Sequence, residues 1–372
     1  DSIDSFLAME VFAKAQALEA QGRDIIHLEF GEPDFTAPPA AAESVKKSME
    51  INDAGYTFSQ GLEELRIEIA KKYANDYGVK ILPEQVLVSN GSSLLLYLAI
   101  RILAPPGSQV ILTDPCYACY ENVVRLAGAE PVMIKLRHED GFQLNVDDLK
   151  KRVTPKTRAI LINSPMNPTG VVFSSEVMTA IAELDIPVIS DEIYADLSFE
   201  DPPCSFLSYS PQTVAIHGFS KSYAMTGWRL GYMITPLEWM SAADRLHQNL
   251  MISATEFVQE AGISVLRKSA AYCESMKTEF NRRRLFVLER MRELGMDLGY
   301  TPTGAFYVLY KYRDSGKSSL DLCHEVLEKT GVAIAPGRDF GLGAEGFVRI
   351  SYAQSMEDLD RALNLLAESM LL

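Results

Sequence analysis

Three short apolar runs each deliver a group able to do chemistry. AILIN, from Ala159, leads into SPMNPTG and Asn167; PVIS, from Pro187, leads into Asp191 and Tyr194; TVAIHGFS, from Thr213, ends at Lys221. The three loops carry an amide, a carboxylate, a phenol and an amine. Each also has a plain structural use: a turn for Asn167, a helix cap for Asp191, a packed ring for Tyr194, a surface charge for Lys221. Lys221 suits that use least, because an apolar run precedes it and SYAMTGW follows, where an ammonium is poorly hydrated. A desolvated lysine loses its proton more readily, and the neutral amine is both a nucleophile toward carbonyl carbon and a carrier of protons. A fourth feature is Gly91-Ser92-Ser93, between VLVSN and LLLYLAI. A turn that opens a helix presents free backbone N–H groups and the positive dipole end to an anion; capping by Ser92 is the alternative use.

For these groups to meet, the runs that carry them must end at one rim. VLVS at Val86, VILTD at Val110, PVMIKL at Pro131, AILIN, PVISDE, TVAIHGFS and GYMIT at Gly231 read as strands, most of them separated by enough chain for a helix. This predicts an α/β fold: a mostly parallel seven-stranded sheet between helices, with ligands at the carboxyl ends of its strands. GYMIT is expected as an antiparallel edge. A smaller α+β part follows, with a long helix over 271–294, FYVLYKY, a helix over 320–329, VAIAPG, GFVRISY and a last helix over 356–370. A helix over 5–20 and the strand IIHLEF are expected to pack with it. The domain division is then 1–45 as an N-terminal arm and part of the small domain, 46–270 as the large domain, and 271–372 as the small one.

The 50 acids against 35 bases leave a net charge of -15, which opposes non-specific attraction to nucleic acid or an anionic membrane. The basic cluster Arg282, Arg283 and Arg284 lies in a helical pattern and reads as a solvated face or as partners for nearby acids. Five scattered cysteines in 372 residues are not a disulfide framework and point to a cytoplasmic protein. No signal peptide is visible, and the apolar run 94–100 is too short to span a bilayer. GLGAEG at Gly341 precedes a strand where a dinucleotide fingerprint must open a helix. Cys116 and Cys119 have no second pair, and the five histidines are scattered, so no metal is expected.

Five segments in order, GEPDF at Gly31, SPMNPTG around Asn167, SDEIYADL around Asp191, SKSYAMTGWRLGY around Lys221 and FVRISYA around Arg349, resemble the class I/II pyridoxal-phosphate aminotransferases of fold type I over essentially the whole chain. The resemblance implies pyridoxal 5'-phosphate as cofactor, with Lys221 forming the Schiff base and then carrying the substrate's Cα proton. It implies Asp191 facing the pyridine nitrogen, and Asn167 and Tyr194 donating to the ring oxygen. Gly91, Ser92, Ser93, Ser220 and Arg229 would hold the phosphate, Tyr117 would stack on the ring, and Tyr56 would reach the phosphate of a neighbouring subunit, making a homodimer with shared sites. Gly31, Asn167 and Arg349 would receive the substrate, Arg349 taking its α-carboxylate. The pattern departs from the family at Gly218, where many members carry a serine. Because Gly31 and Arg349 lie on the outer part and Lys221 on the inner, substrate binding is expected to draw the two together.

The full motif set implies transamination between an L-amino acid and a 2-oxo acid, by a ping-pong route. A C–S lyase on the same scaffold is the alternative. A cofactor-sensing transcription regulator would need a helix-turn-helix module that the chain does not contain. The donor is left open. Ser93 stands where some aspartate-using members place a lysine, and Arg338 reads as an exposed loop residue.

Overall fold

Ala159 and Leu161 pack with the helix Ser92–Leu103, whereas Ile160 and Ile162 pack with Val177 and Ile181 of the helix Ser175–Ala182. Successive side chains on opposite faces, both apolar, are the mark of a strand covered on two sides. The computed structural model describes residues 3–51, 54–313, 316–369 and 371. Its strands are β1 (Ile26–His27), β2 (Val86–Ser89), β3 (Gln109–Asp114), β4 (Glu130–Lys135), β5 (Thr157–Asn163), β6 (Val188–Asp191), β7 (Thr213–Gly218), β8 (Gly231–Ile234), β9 (Tyr307–Lys311), β10 (Val332–Ala333), β11 (Ala335–Pro336) and β12 (Phe347–Ser351).

Seven of them form one sheet in the order β2-β8-β7-β6-β5-β3-β4. The seven-stranded, mostly parallel sheet expected from the sequence is present. The expected edge is not where it was placed. β8 is antiparallel, but it lies between β2 and β7 and pairs with both, leaving β2 and β4 as edges. Gly231 makes this interior position possible: a Cβ there would come within 2.6 Å of the Ser92 nitrogen, so only glycine lets the start of the helix Ser92–Leu103 sit against the sheet.

The remaining strands build a second layer. β11, β12 and β9 form an antiparallel sheet, and β1 pairs with β10 in parallel. Its core joins Val11 and Ala15 of the N-terminal helix Leu7–Glu19 to Phe280 and Val287 of the helix Ala270–Glu293, Val326 of the helix Ser319–Thr330 and Leu363 of the helix Met356–Glu368. The N-terminal segment therefore packs with the C-terminal part, as its apolar spacing suggested. IIHLEF keeps only two residues in a strand, because Leu28 is drawn between neighbours: its N–H donates to Ala333 O and its C=O accepts from Ser351 N. Arg283 and Arg284 are not a solvated face. Both are buried, Arg283 against Asp34 and Glu279 and Arg284 against Glu200, which is the pairing alternative. All five cysteines are free thiols. Among the described residues no helix is long and apolar enough to cross a membrane, and no group of three or more His, Cys, Asp or Glu is placed to hold a metal ion.

Candidate active site

The carboxyl ends of β5, β6 and β7 open into a cavity of about 290 Å³ that also reaches β12 and the N-terminal helix. Gly31, Ser92, Ser93, Tyr117, Asn167, Asp191, Tyr194, Ser220, Lys221, Arg229 and Arg349 all line it. Of the residues named from the sequence, Gly91 forms the adjoining turn and Tyr56 lies outside, 84 % exposed.

Lys221 sits in the loop between β7 and β8. That loop is folded back on itself, Met225 N–H donating to Phe219 O and Ala224 N–H to Lys221 O. The lysine Nζ donates to Gly31 O. Lys221 keeps some exposure because it faces the cavity, yet protein surrounds it, and burial is the largest cause that brings its pKa down to about 8. Glu32 works against that shift; Arg349 and Arg229 add to it. The amine is thus poised near neutrality without an acid in ion-pair contact.

Asp191 ends β6 and is 4 % exposed. Burial pushes its carboxyl up to about 6, and two donors oppose this: Tyr120 Oη at 2.7 Å on Oδ2, and Ile193 N–H at 3.1 Å on Oδ1. Asn163 ties the neighbouring loop in, its Nδ2 donating to Asp191 O and its Oδ1 accepting from Asn167 N–H. Glu192, next in the chain, points away and is consumed by Ser205, Phe206 N–H and Tyr73, which fixes the direction of the DEIY turn. Tyr120 and Asn163 were not singled out in the sequence. Tyr120 lies three residues beyond Tyr117, and the two rings meet edge to face at 5.5 Å. Tyr120→Phe removes a bond to a charged group worth about 1.5 to 3 kcal/mol. It should weaken cofactor binding roughly ten- to a hundredfold and raise the pKa of Asp191; equilibrium dialysis of pyridoxal phosphate across pH checks this, and an unchanged affinity would reject it.

At the other wall, Gly91 has φ +88°, and a Cβ there would lie 2.4 Å from Arg229 Nη2. The helix starting at Ser92 has no side chain capping its N-terminus, so a glycine cradle, a helix N-terminus and a guanidinium converge on one spot. Arg229 itself has φ +55°, left-handed for a non-glycine residue, and its Nη1 is fixed by Thr226 O at 3.0 Å. Gly218 pairs with Gly231 across β7 and β8, and a Cβ there would come to 3.0 Å from Leu230 O. A side chain at that position would crowd the backbone of Leu230 and Gly231, and Ser220 is the hydroxyl present on this side of the cavity.

Arg349, on β12, is 5 % exposed and lies between the rings of Tyr307 and Phe340, at 4.6 and 4.7 Å. It donates to Asn167 Oδ1 at 3.0 Å and to Glu29 O; its buried Nε has no hydrogen-bond partner. Tyr307, also missed in the sequence, shares a 2.8 Å hydrogen bond with Tyr194. Its Oη would lie 2.2 Å from a Cβ on Gly31, so GEPDF needs its glycine for this contact. Arg338 is exposed and does not line the cavity.

An anion cradle, a buried carboxylate, a low-pKa amine and an arginine with an unmet donor fit a phosphorylated pyridine aldehyde and an amino acid. The comparisons agree with this chemistry. The sequence profile of the aminotransferase class I and II family matches residues 23–366. A (5-formylfuran-3-yl)methyl phosphate transaminase of Methanocaldococcus jannaschii is 37% identical, covering 99% of this chain and 97% of its own. An aspartate aminotransferase of Pyrococcus horikoshii is 36% identical over 97% of this chain and 93% of its own. A double mutant of Thermus thermophilus aspartate aminotransferase superposes with a TM-score of 0.94 at 34% identity, over 100% of this chain and 98% of that one. The chain belongs to the class I and II aminotransferases, a family of pyridoxal-phosphate-dependent enzymes.

Proposed function

We propose that this aminotransferase moves an amino group from an L-amino acid to a 2-oxo acid at the cavity around Lys221, donor and acceptor using that one site in turn, so that turnover is ping-pong. The observation that carries the reading is the convergence of Lys221, Asp191, Arg229 and Arg349 on one cavity at the carboxyl ends of the sheet strands, with burial lowering the pKa of the Lys221 amine. When bound, pyridoxal 5'-phosphate supplies an aldehyde for the amino group and a ring that withdraws electrons from the substrate's Cα–H bond.

The chain's own groups do the rest. Lys221 would hold the aldehyde group, and as a free amine its Nζ would carry the proton from the substrate Cα to the cofactor carbon that bore the aldehyde. Asp191 would hold a proton on the ring nitrogen, and Tyr120 and Ile193 N–H, which donate to its carboxyl, favour its ionised form. Ser92, Ser93, Ser220 and Arg229 would hold the phosphate at the Gly91 turn, Tyr117 would cover the ring, and Asn167 and Tyr194 would donate to its hydroxyl oxygen. Arg349 offers its free Nε to the substrate α-carboxylate, with Gly31 giving backbone access. Residues 46–270 form the cofactor-holding domain; 1–45 and 271–372 form the one that brings the carboxylate. Tyr56, with Phe58 87 % exposed beside it, completes the site of a second copy in a homodimer. Free thiols throughout support a cytoplasmic setting.

The test is to reconstitute the protein with pyridoxal phosphate, reduce with borohydride and map the modified peptide, then assay amino-acid and oxo-acid pairs. A pyridoxyl group on Lys221 and oxo-acid-dependent product are expected. No adduct at Lys221, or ammonia and pyruvate released from a cysteine conjugate with no oxo acid present, would overturn the reading.

A further inference from the structure

The cavity presents three cations among the described residues, Lys221, Arg229 and Arg349, and the proposed reaction occupies all three: with the aldehyde, the phosphate and the α-carboxylate. Among the described residues of this one copy, nothing basic in the lining is left for a second carboxylate on the substrate. Beyond Asn167 and Tyr307, which hold the substrate arginine, the wall toward the N-terminal helix is apolar with one acid. Phe340 lies on the Arg349 guanidinium, and Phe6, Met9, Phe30, Leu96 and Tyr117 add to the lining. Of the acids in the lining, Glu29 is paired with His27 and Asp191 serves the cofactor; Asp339 lies on this wall, its carboxyl pKa raised by burial despite two backbone donors and the charge of Arg349.

Asp339 also explains why that wall is held in place. The helix Leu7–Glu19 has no side-chain cap of its own. Asp339, more than three hundred residues away in sequence, supplies it, accepting Leu7 N–H at 2.9 Å and Ala8 N–H at 3.2 Å. The first turn is thereby pinned at the cavity mouth. Phe6 stacks on Tyr117 at 6.5 Å with an interplanar angle of 21°. Phe12, on the same helix, meets Phe30 edge to face at 4.5 Å. Phe6 and Met9 are 39 % and 49 % exposed, which is apolar surface a substrate side chain can cover.

We propose that the donor is an amino acid with a bulky apolar side chain, an aromatic ring above all, and that Phe6, Met9, Phe30 and Phe340 select it while Asp339 both seats the helix and repels a distal carboxylate. The inference rests on the aminotransferase reading above and adds the substrate class. A ring placed there is buried among rings. A second carboxylate would lose water and meet Asp339 unpaired, a repulsive element as well as a missing attraction.

The experiment is a half-reaction series on reconstituted enzyme with L-phenylalanine, L-tyrosine, L-leucine, L-alanine, L-aspartate and L-glutamate, following conversion of the cofactor by absorbance. It is paired with calorimetric titration of 3-phenylpropionate and succinate, which bind without reacting. Phenylalanine or tyrosine should exceed aspartate and glutamate in kcat/KM by at least about a hundredfold, and 3-phenylpropionate should bind more tightly than succinate. The double variant Phe6→Ala, Met9→Ala should lower kcat/KM for phenylalanine about tenfold or more, and several times more than it lowers that for alanine. Aspartate or glutamate reacting as fast as phenylalanine, succinate binding the more tightly, or equal losses for phenylalanine and alanine would each overturn the proposal while leaving aminotransfer standing. Failure of every amino acid to react would instead remove the reading beneath it.

Discussion

Lys221→Ala is expected to abolish the borohydride-trapped adduct and to cost turnover at least the roughly 10²- to 10⁴-fold that a positioned proton-transfer group supplies, while the protein stays folded. The folded state gives the reason for the second half. The lysine makes a single hydrogen bond, to Gly31 O, and burial holds its pKa at about 8 against an ordinary value of 10.5. Between those values the unfolded chain binds the proton and the folded one does not. Stability therefore rises as pH climbs from about 8 to 10.5, and below about 8 the charged amine weighs against the fold. Alanine removes that burden, so the melting temperature of the cofactor-free variant at pH 7 should equal or exceed that of the wild type. A clear loss of melting temperature would recast Lys221 as a structural residue.

The same pKa sets a pH dependence in the wild type. Only the neutral amine captures an aldehyde, so the rate at which the cofactor-free protein takes up pyridoxal phosphate should fall about tenfold per unit below pH 8 and level off above it. Stopped-flow absorbance checks this. A rate that keeps rising to pH 10.5 would mean that the amine is not depressed.

Why so much of this site is legible in the sequence follows from where it sits. Asn167, Asp191 and Lys221 come just after apolar strands, and parallel strands with both faces covered put such positions on one rim whatever the detail of the helices. The cradle at Gly91 is legible for a similar reason, as a strand, a glycine and the start of an apolar helix stand in line. What was hidden depends on contacts between distant elements. Tyr120 reaches Asp191 across 71 residues, Tyr307 reaches Tyr194 across 113, and Asp339 caps a helix 332 residues away. No local spacing encodes such pairs. The position of β8 was missed because an antiparallel strand looks alike in sequence at an edge or inside; the deciding contact, Gly231 against the Ser92 nitrogen, belongs to the fold. For Arg283 and Arg284 the sequence left a solvated face and pairing with acids both open; Glu279 is a local partner, but Asp34 and Glu200, which complete the pairing, lie far away along the chain.

Arg349→Ala should lower kcat/KM for every amino-acid donor and every oxo-acid acceptor by roughly 10²- to 10³-fold, because the α-carboxylate is the one group they all share. The arginine is held before any substrate arrives: Asn167 Oδ1 and Glu29 O fix two of its nitrogens, Tyr307 and Phe340 close on its faces, and Nε is left with a donor to give. A guanidinium ordered in this way loses little freedom when a carboxylate docks. Arg349→Lys keeps the charge and loses the planar fork, so it should fall between the wild type and alanine. Because alanine also frees Asn167 and Glu29 O, melting temperature and cofactor affinity must be measured alongside. If either collapses, the lysine variant carries the test through its KM. An effect restricted to one donor would move Arg349 from the α-carboxylate to the side-chain end of the cavity, and Phe340 with it.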